Sequence, residues 1–191
     1  QTGGGTAPSV DVARGNVAAD APTDKLAWGA KVSPEFRAKV RAIAARLQVN
    51  PNHLMAAMAF ETGRSFSPSQ KNGAGSSAVG LIQFMRNTAK GLGTTTDDLA
   101  GMTAVDQLDY VEKYLSRYRG RMHQLSDVYM AILYPAAVGK PEEFVLFSNG
   151  TVAYLQNAGL DTDHDHAVTK HEAAAKVEAV LREGLRPENL A

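Results

Sequence analysis

Beyond a polar start, apolar residues recur at helical spacing through most of this chain. Ser33-Pro34 pairs an N-cap hydroxyl with proline at the first helical position, and Phe36, Val40, Ile43, Ala44 and Leu47 follow on one face. Asn50-Pro51 repeats that start signal; Leu54, Met58 and Glu61 then share a stripe, and Gly63 ends the segment. From Arg64 to Val79 Ser, Gly, Pro and Asn dominate, which predicts a loop. The spacing predicts a helix over about 80–90 and a longer one, capped by Thr103, through Val105, Leu108, Val111 and Leu115. Another, capped by Ser126, runs through Tyr129, Ile132 and Leu133 and ends at Pro135. Residues 142–147 and 152–155 read equally as helix or strand. Thr169 and Glu172 fit a capping box that opens a last helix to about Leu185. No stretch alternates like a hairpin and no repeat stands out, so the expected fold class is all-α.

The organisation expected is an arm over 1–28, a helical catalytic domain over 29–155, and a small appendage over 156–191. The arm is rich in Gly, Ala, Pro, Thr and Asp as far as Asp24, and reads either as a loose terminus or as a tether to a further domain upstream. A length of 191 residues, 44% hydrophobic and 21% charged, suits one ordinary domain with that appendage. Twenty basic residues balance 20 acidic ones, which removes the electrostatic footprint of a nucleic-acid binder. With no cysteine, disulfides, thiol catalysis and cysteine-held zinc are excluded. No apolar run reaches a membrane span, so no membrane insertion is expected. The chain begins at Gln1 without a signal-peptide pattern, so its export route is not legible.

Glu61 carries the most chemical information. It lies three positions after Met58 and seven after Leu54, at the end of an apolar stripe and just before a Gly- and Ser-rich loop. A carboxyl group in apolar surroundings resists ionisation, and a raised pKa is what a general acid needs to protonate a glycosidic oxygen near neutrality. Periodicity alone leaves open a glutamate turned outward at a helix end.

The neighbouring residues sharpen the choice. Glu61-Thr62-Gly63, a polar loop, then Gly80-Leu81-Ile82-Gln83-Phe84-Met85 resembles the soluble lytic transglycosylase and goose-type lysozyme superfamily. There a Glu-Ser dipeptide ending a helix is followed some twenty residues on by Gly-Leu-Met-Gln. Thr62 stands in the serine position and keeps the hydroxyl, while Ile82 replaces the methionine. Gly80 would let the backbone approach substrate, and Gln83 would offer donor and acceptor to an acetamido sugar or to Glu61. A third family motif, Ala-Tyr-Asn-x-Gly, has its nearest match at Ala131–Gly139, with Tyr134 in the tyrosine position and Pro135 where the asparagine belongs.

The resemblance implies a lysozyme-like domain that cuts peptidoglycan glycan strands. Glu61 would be the catalytic acid, with Thr62, Gln83 and Tyr134 contacting substrate. Most glycosidases use two carboxylates, but Asp97, Asp98, Asp106, Glu112 and Glu142 all read as helix-start or surface residues. A lone acid matches the transglycosylase branch, whose glutamate protonates the bond between N-acetylmuramic acid and N-acetylglucosamine and then activates the muramic 6-hydroxyl. Goose-type relatives admit water instead. The implied site of action is the bacterial cell wall or periplasm, reached by secretion or phage delivery as with endolysins.

Near the C-terminus, Asp161-Thr162-Asp163-His164-Asp165-His166-Ala167-Val168-Thr169-Lys170-His171-Glu172 resembles an EF-hand calcium loop. Asp161, Asp163 and Asp165 fill positions one, three and five, Ala167 offers a carbonyl at seven, and Glu172 stands at twelve. His166 replaces the glycine of position six. Three readings remain: a structural calcium site, a loop that no longer binds, or a transition-metal site on His164, His166 and His171. A calcium-dependent wall-binding module without catalysis is accordingly the second functional reading. Trp28 is expected to be a packing anchor and His53 a surface residue.

Overall fold

The computed structural model describes residues 24–73 and 75–191. Most of the arm expected over 1–28 therefore lies outside the described residues. Its end does not: Leu26, Ala27 and Trp28 are buried. Trp28 Nε1 donates to the Val180 carbonyl, and its indole fills the space beside Gly184, where any Cβ would come within 2.4 Å of the ring. The folded part thus begins before residue 29, and Trp28 is the anchor expected of it.

Helix α1 (Pro34–Leu47) starts at Ser33, whose hydroxyl accepts from Phe36 N. α2 (Pro51–Glu61) starts at Asn50, and α5 (Ala104–Leu115) at Thr103, each with the side-chain cap that its sequence announces. α6 (Leu125–Leu133) differs by one or two residues: Gln124 is its N-cap and Asp127 closes a capping box, while the Ser126 hydroxyl turns to Glu142. α2 is the central helix, packing on α1, on α6 and on α8 (Lys170–Gly184). Six consecutive residues, Leu54–Ala59, are buried, so α2 is apolar all round rather than along one stripe. α1 also packs on α5, and α6 on α8.

One expectation fails. The helix expected over 80–90 begins only at Arg86, as the short α3 (Arg86–Gly91), followed by α4 (Thr96–Gly101). Residues 80–83 form instead a tight turn closed by a bridge between Val79 and Phe84, with Gly80 at φ 82° and Gln83 at φ 53°. The fold of the described residues is mostly helical, as expected, with one small two-stranded sheet. β1 (Val145–Ser148) pairs antiparallel with β2 (Ala167–Thr169), flanking α7 (Val152–Asn157) and a 3-10 turn at Ala158–Leu160. In the C-terminal segment, α8 packs on α2 and α6.

No helix among the described residues is long and apolar enough to cross a membrane.

Candidate active site

Glu61 is the last residue of α2, where a helix buried on all sides reaches the surface. Its carboxyl is half-buried and has no hydrogen-bond or ion-pair partner among the described residues. Desolvation therefore acts unopposed and raises its pKa to about 7. The chain turns sharply at this point. Thr62 caps α2, its hydroxyl donating to the Met58 carbonyl at 2.7 Å and accepting from Phe66 N at 3.0 Å. At 1% exposure, with both functions of the hydroxyl used, Thr62 holds the turn and presents nothing to a substrate, contrary to the contact expected of it. Phe66 is thereby seated edge-on against Phe36 of α1.

Residues 65–72 then fold back across the end of α2. The Asn72 amide donates to the Glu61 carbonyl at 2.6 Å, and Gln83 Nε2 donates to the carbonyls of Gln70 and Gly80. Glu61 and Gln83 are thus joined through Asn72 and Gln70 and are not hydrogen-bonded to each other. Gln83 Oε1 is buried and unpaired, beside a small cavity of about 40 Å³ shared with Met85, Tyr114 and Ile132. A buried acceptor without a partner calls for a donor such as an amide N–H or a hydroxyl.

Gly80 serves a purpose other than the close approach to substrate expected of it. A Cβ there would stand 2.3 Å from Gln107 Oε1. Gln107, on α5 and fully buried, accepts from Leu81 N and donates to the carbonyls of Pro68 and Leu99. One amide therefore ties the 65–72 loop, the 80–83 turn and the end of α4 together. Sequence reasoning missed it because a glutamine at that helix position carries no local signal.

Tyr129 was also missed. Its ring stands edge-on to Phe60 at 5.5 Å, and its hydroxyl is held protonated by burial and by the negative charge of nearby Glu61. Both rings line a cavity of about 320 Å³ that continues to Gln156, Asn157 and Leu160 around α7 and to Lys176 of α8. Tyr134, by contrast, packs edge-on against Phe147 of β1 at 5.7 Å, and it is Tyr129 on which the charge of Glu61 acts. No carboxylate, Glu61 included, is among the described residues that line either cavity.

A further cavity, about 360 Å³, lies at the opposite end of α2 between His53, His123, Glu178 and Arg182. His53 is half-buried there, not on the surface as expected, with Nδ1 unpaired and its pKa lowered by desolvation.

In the 161–172 loop, Asp161 Oδ2 accepts from the Tyr154 hydroxyl and from His166 N. Asp163 accepts from Asp165 N, and Asp165 from Ala167 N. These three aspartates bring one carboxylate oxygen each within 4.8 Å of one another. Glu172 is not among them. Its Oε1 accepts from the amide and hydroxyl of Thr162 and its Oε2 from those of Thr169, so both oxygens are taken. His164 and His166 both take left-handed backbone, at φ 61° and 68°. His166 therefore makes the turn for which the motif uses glycine.

No protein-family signature, no curated protein and no solved structure matches this chain.

Proposed function

We propose that this protein cleaves the glycan strands of bacterial peptidoglycan at the bond between N-acetylmuramic acid and N-acetylglucosamine, with Glu61 as general acid and then general base. The observation that carries this reading is the Glu61 carboxyl, half-buried, unpaired and raised to about 7. A carboxylic acid in that state keeps its proton near neutrality and gives it up to a developing alkoxide. The cavity lined by Phe60 and by Tyr129, the tyrosine on which the Glu61 charge acts, has the apolar and amide-bearing lining that a sugar ring needs.

With no carboxylate among the described residues that line these cavities, we favour a nucleophile supplied by the substrate over water. The muramic 6-hydroxyl, deprotonated by Glu61 after it has given up its proton, closes on the anomeric carbon and leaves a 1,6-anhydro end. We therefore favour the lytic transglycosylase over the hydrolytic muramidase. The site of action is the bacterial cell wall.

The test is turbidity loss on permeabilised bacteria or purified sacculi. Glu61→Gln should lower the rate by roughly 10²–10⁴-fold, the usual contribution of a general acid. Mass spectrometry of the digest should show anhydromuramic ends; reducing ends would identify a hydrolase. A wild-type chain that sediments with sacculi but never clears them would favour the non-catalytic binding module.

A further inference from the structure

We infer that the cavity at the N-terminal end of α2 binds the zwitterionic end of an amino acid, taking its ammonium group on Glu178 and its carboxylate on Arg182. The cavity, about 360 Å³, has room for one small ligand and lies among His53 of α2, His123 and Leu125 around the start of α6, and Glu178, Leu181 and Arg182 of α8. Glu178 and Arg182 stand one helical turn apart, in the order that favours an ion pair within the helix. Neither has a hydrogen-bond or ion-pair partner among the described residues. Other exposed arginines do close on carboxylates: Arg46 on Glu112 and Arg64 on Glu183, both at 2.6 Å. A carboxylate and a guanidinium that line one hollow side by side, unpaired, match a ligand carrying the same two charges reversed.

The rest of the lining narrows the ligand class. Leu125 is buried and Leu181 packs against the core, so together they give the cavity an apolar floor for an aliphatic side chain. His53 is held neutral by desolvation and adds no third charge. The His123 side chain has no hydrogen-bond partner among the described residues and can turn to the ligand. His53, His123 and Glu178 do not converge as metal donors; among the described residues only Asp161, Asp163 and Asp165 do. The backbone N–H groups of His123 and Gln124 are already taken by Asp127, so recognition falls to side chains.

His53 and Glu61 lie eight residues apart on α2, roughly 12 Å along its axis. A ligand seated here is therefore clear of the Glu61 carboxyl, and the site anchors rather than reacts. Free amino acids carry such an end. So does a diamino acid that is held in a peptide through its other end. On the proposed function, the peptide stems of the wall are the peptide-borne source; that choice of source rests on the function, whereas the site itself does not.

The experiment is an amide NMR titration of the full chain with leucine, leucinamide and N-acetyl-leucine. Leucine should shift the amides of His53, His123, Leu125, Glu178 and Arg182 together, with Kd on the order of 1 mM. Leucinamide lacks the carboxylate and N-acetyl-leucine lacks the ammonium, and each should bind roughly three- to tenfold more weakly. Glu178→Gln should lose the discrimination against N-acetyl-leucine alone, and Arg182→Gln that against leucinamide alone. Neither position is buried, so both variants should melt within about 2 °C of the wild type. Glu61→Gln should bind leucine as the wild type does, which separates failure of this site from failure of the lytic reading. A peptide ending in 2,6-diaminopimelate, its distal amino-carboxylate end free, should bind more tightly than leucine where wall peptide is the source; tighter binding of leucine keeps the site and assigns it to free amino acids. No amide shift at about 20 mM leucine overturns the site. Equal binding of the three leucine probes, or discrimination that survives in both variants, overturns the zwitterion reading.

Discussion

On the proposed reading, Glu61 ties a stability effect to a catalytic one, because both would follow from the same unpaired carboxyl. Its pKa is about 7 in the folded chain against 4.5 in the unfolded one. Between those values the folded state holds a proton that the unfolded state has released, so stability falls as pH rises through that window. Below pH 4.5 the group is neutral in both states and contributes nothing. Glu61→Gln removes the ionising group and should therefore stabilise the protein above pH 7, by roughly 1–3 kcal/mol, with little effect at pH 4. Denaturant titrations of the two chains at pH 4 and pH 8 measure this directly. The activity of the wild type should decline through pH 7 for the same reason, since the acid form is then lost. A stabilised variant without lysis is the signature of a strained functional acid; a variant equally stable at both pH values would mean that the carboxyl is hydrated. The desolvation was anticipated from the stripe of Leu54 and Met58, but its cause is broader. α2 is buried on every side, and only its tertiary neighbours make it so.

Element boundaries were legible wherever the signal was local. Ser33-Pro34, Asn50-Pro51, Thr103 and the Thr169–Glu172 box all start helices as read, because a cap is made by residues within one turn of each other. The signals that failed are those set from a distance. Residues 80–83 have a helical apolar pattern, yet Gln107, 26 positions beyond Leu81, holds them in a turn by accepting the Leu81 N–H. β1 and β2 have four and three residues, too few to show alternation, and each is defined by its partner. The dependence on Gln107 is testable. Gln107→Leu keeps the volume, strands the buried Leu81 N–H and removes a donor from the Pro68 and Leu99 carbonyls, which should cost about 1–3 kcal/mol. It should also lower lytic activity by tenfold or more, because the loop and turn joining Glu61 to Gln83 lose their common brace. Thermal melts and rates on sacculi measure both, and an unaffected rate would show that Gln83 takes no part.

The parts of the candidate site come from both ends of the chain, so the molecule needs a rigid link between them. Glu61 comes from α2 and Tyr129 from α6, whereas Lys176 and the α7 wall come from the last forty residues. Apolar packing of α8 on α2 and α6 supplies most of that link. A buried ion pair orients it. Lys170, 1% exposed at the first turn of α8, donates to Asp127 Oδ1 at 2.6 Å and to the Lys140 carbonyl at 2.7 Å. Asp127 also accepts from His123 N, Gln124 N and Gly139 N. Burial alone would raise its pKa, but Lys170 and the backbone donors outweigh that and hold it below the usual carboxylate range. Such a pair adds little net stability over a well-packed apolar one, but removing one partner leaves the other charge buried. Lys170→Met should therefore destabilise by about 3–5 kcal/mol, whereas the double change Lys170→Met, Asp127→Leu should recover part of the loss. Recovery should be incomplete, since Gly139 N–H, Gln124 N–H and the Lys140 carbonyl would remain unpaired. Asp127 and Lys170 were both passed over in the sequence, since 43 residues separate them and each looks like an ordinary helix-start charge. The pair joins the helix of Tyr129 to the end of the aspartate loop, so Lys170→Met should also lower lytic activity by more than its loss of stability predicts at a temperature where it remains folded. If it lyses at the wild-type rate under those conditions, α8 and α6 do not need a fixed orientation, and the C-terminal segment stabilises the fold without shaping the cleft.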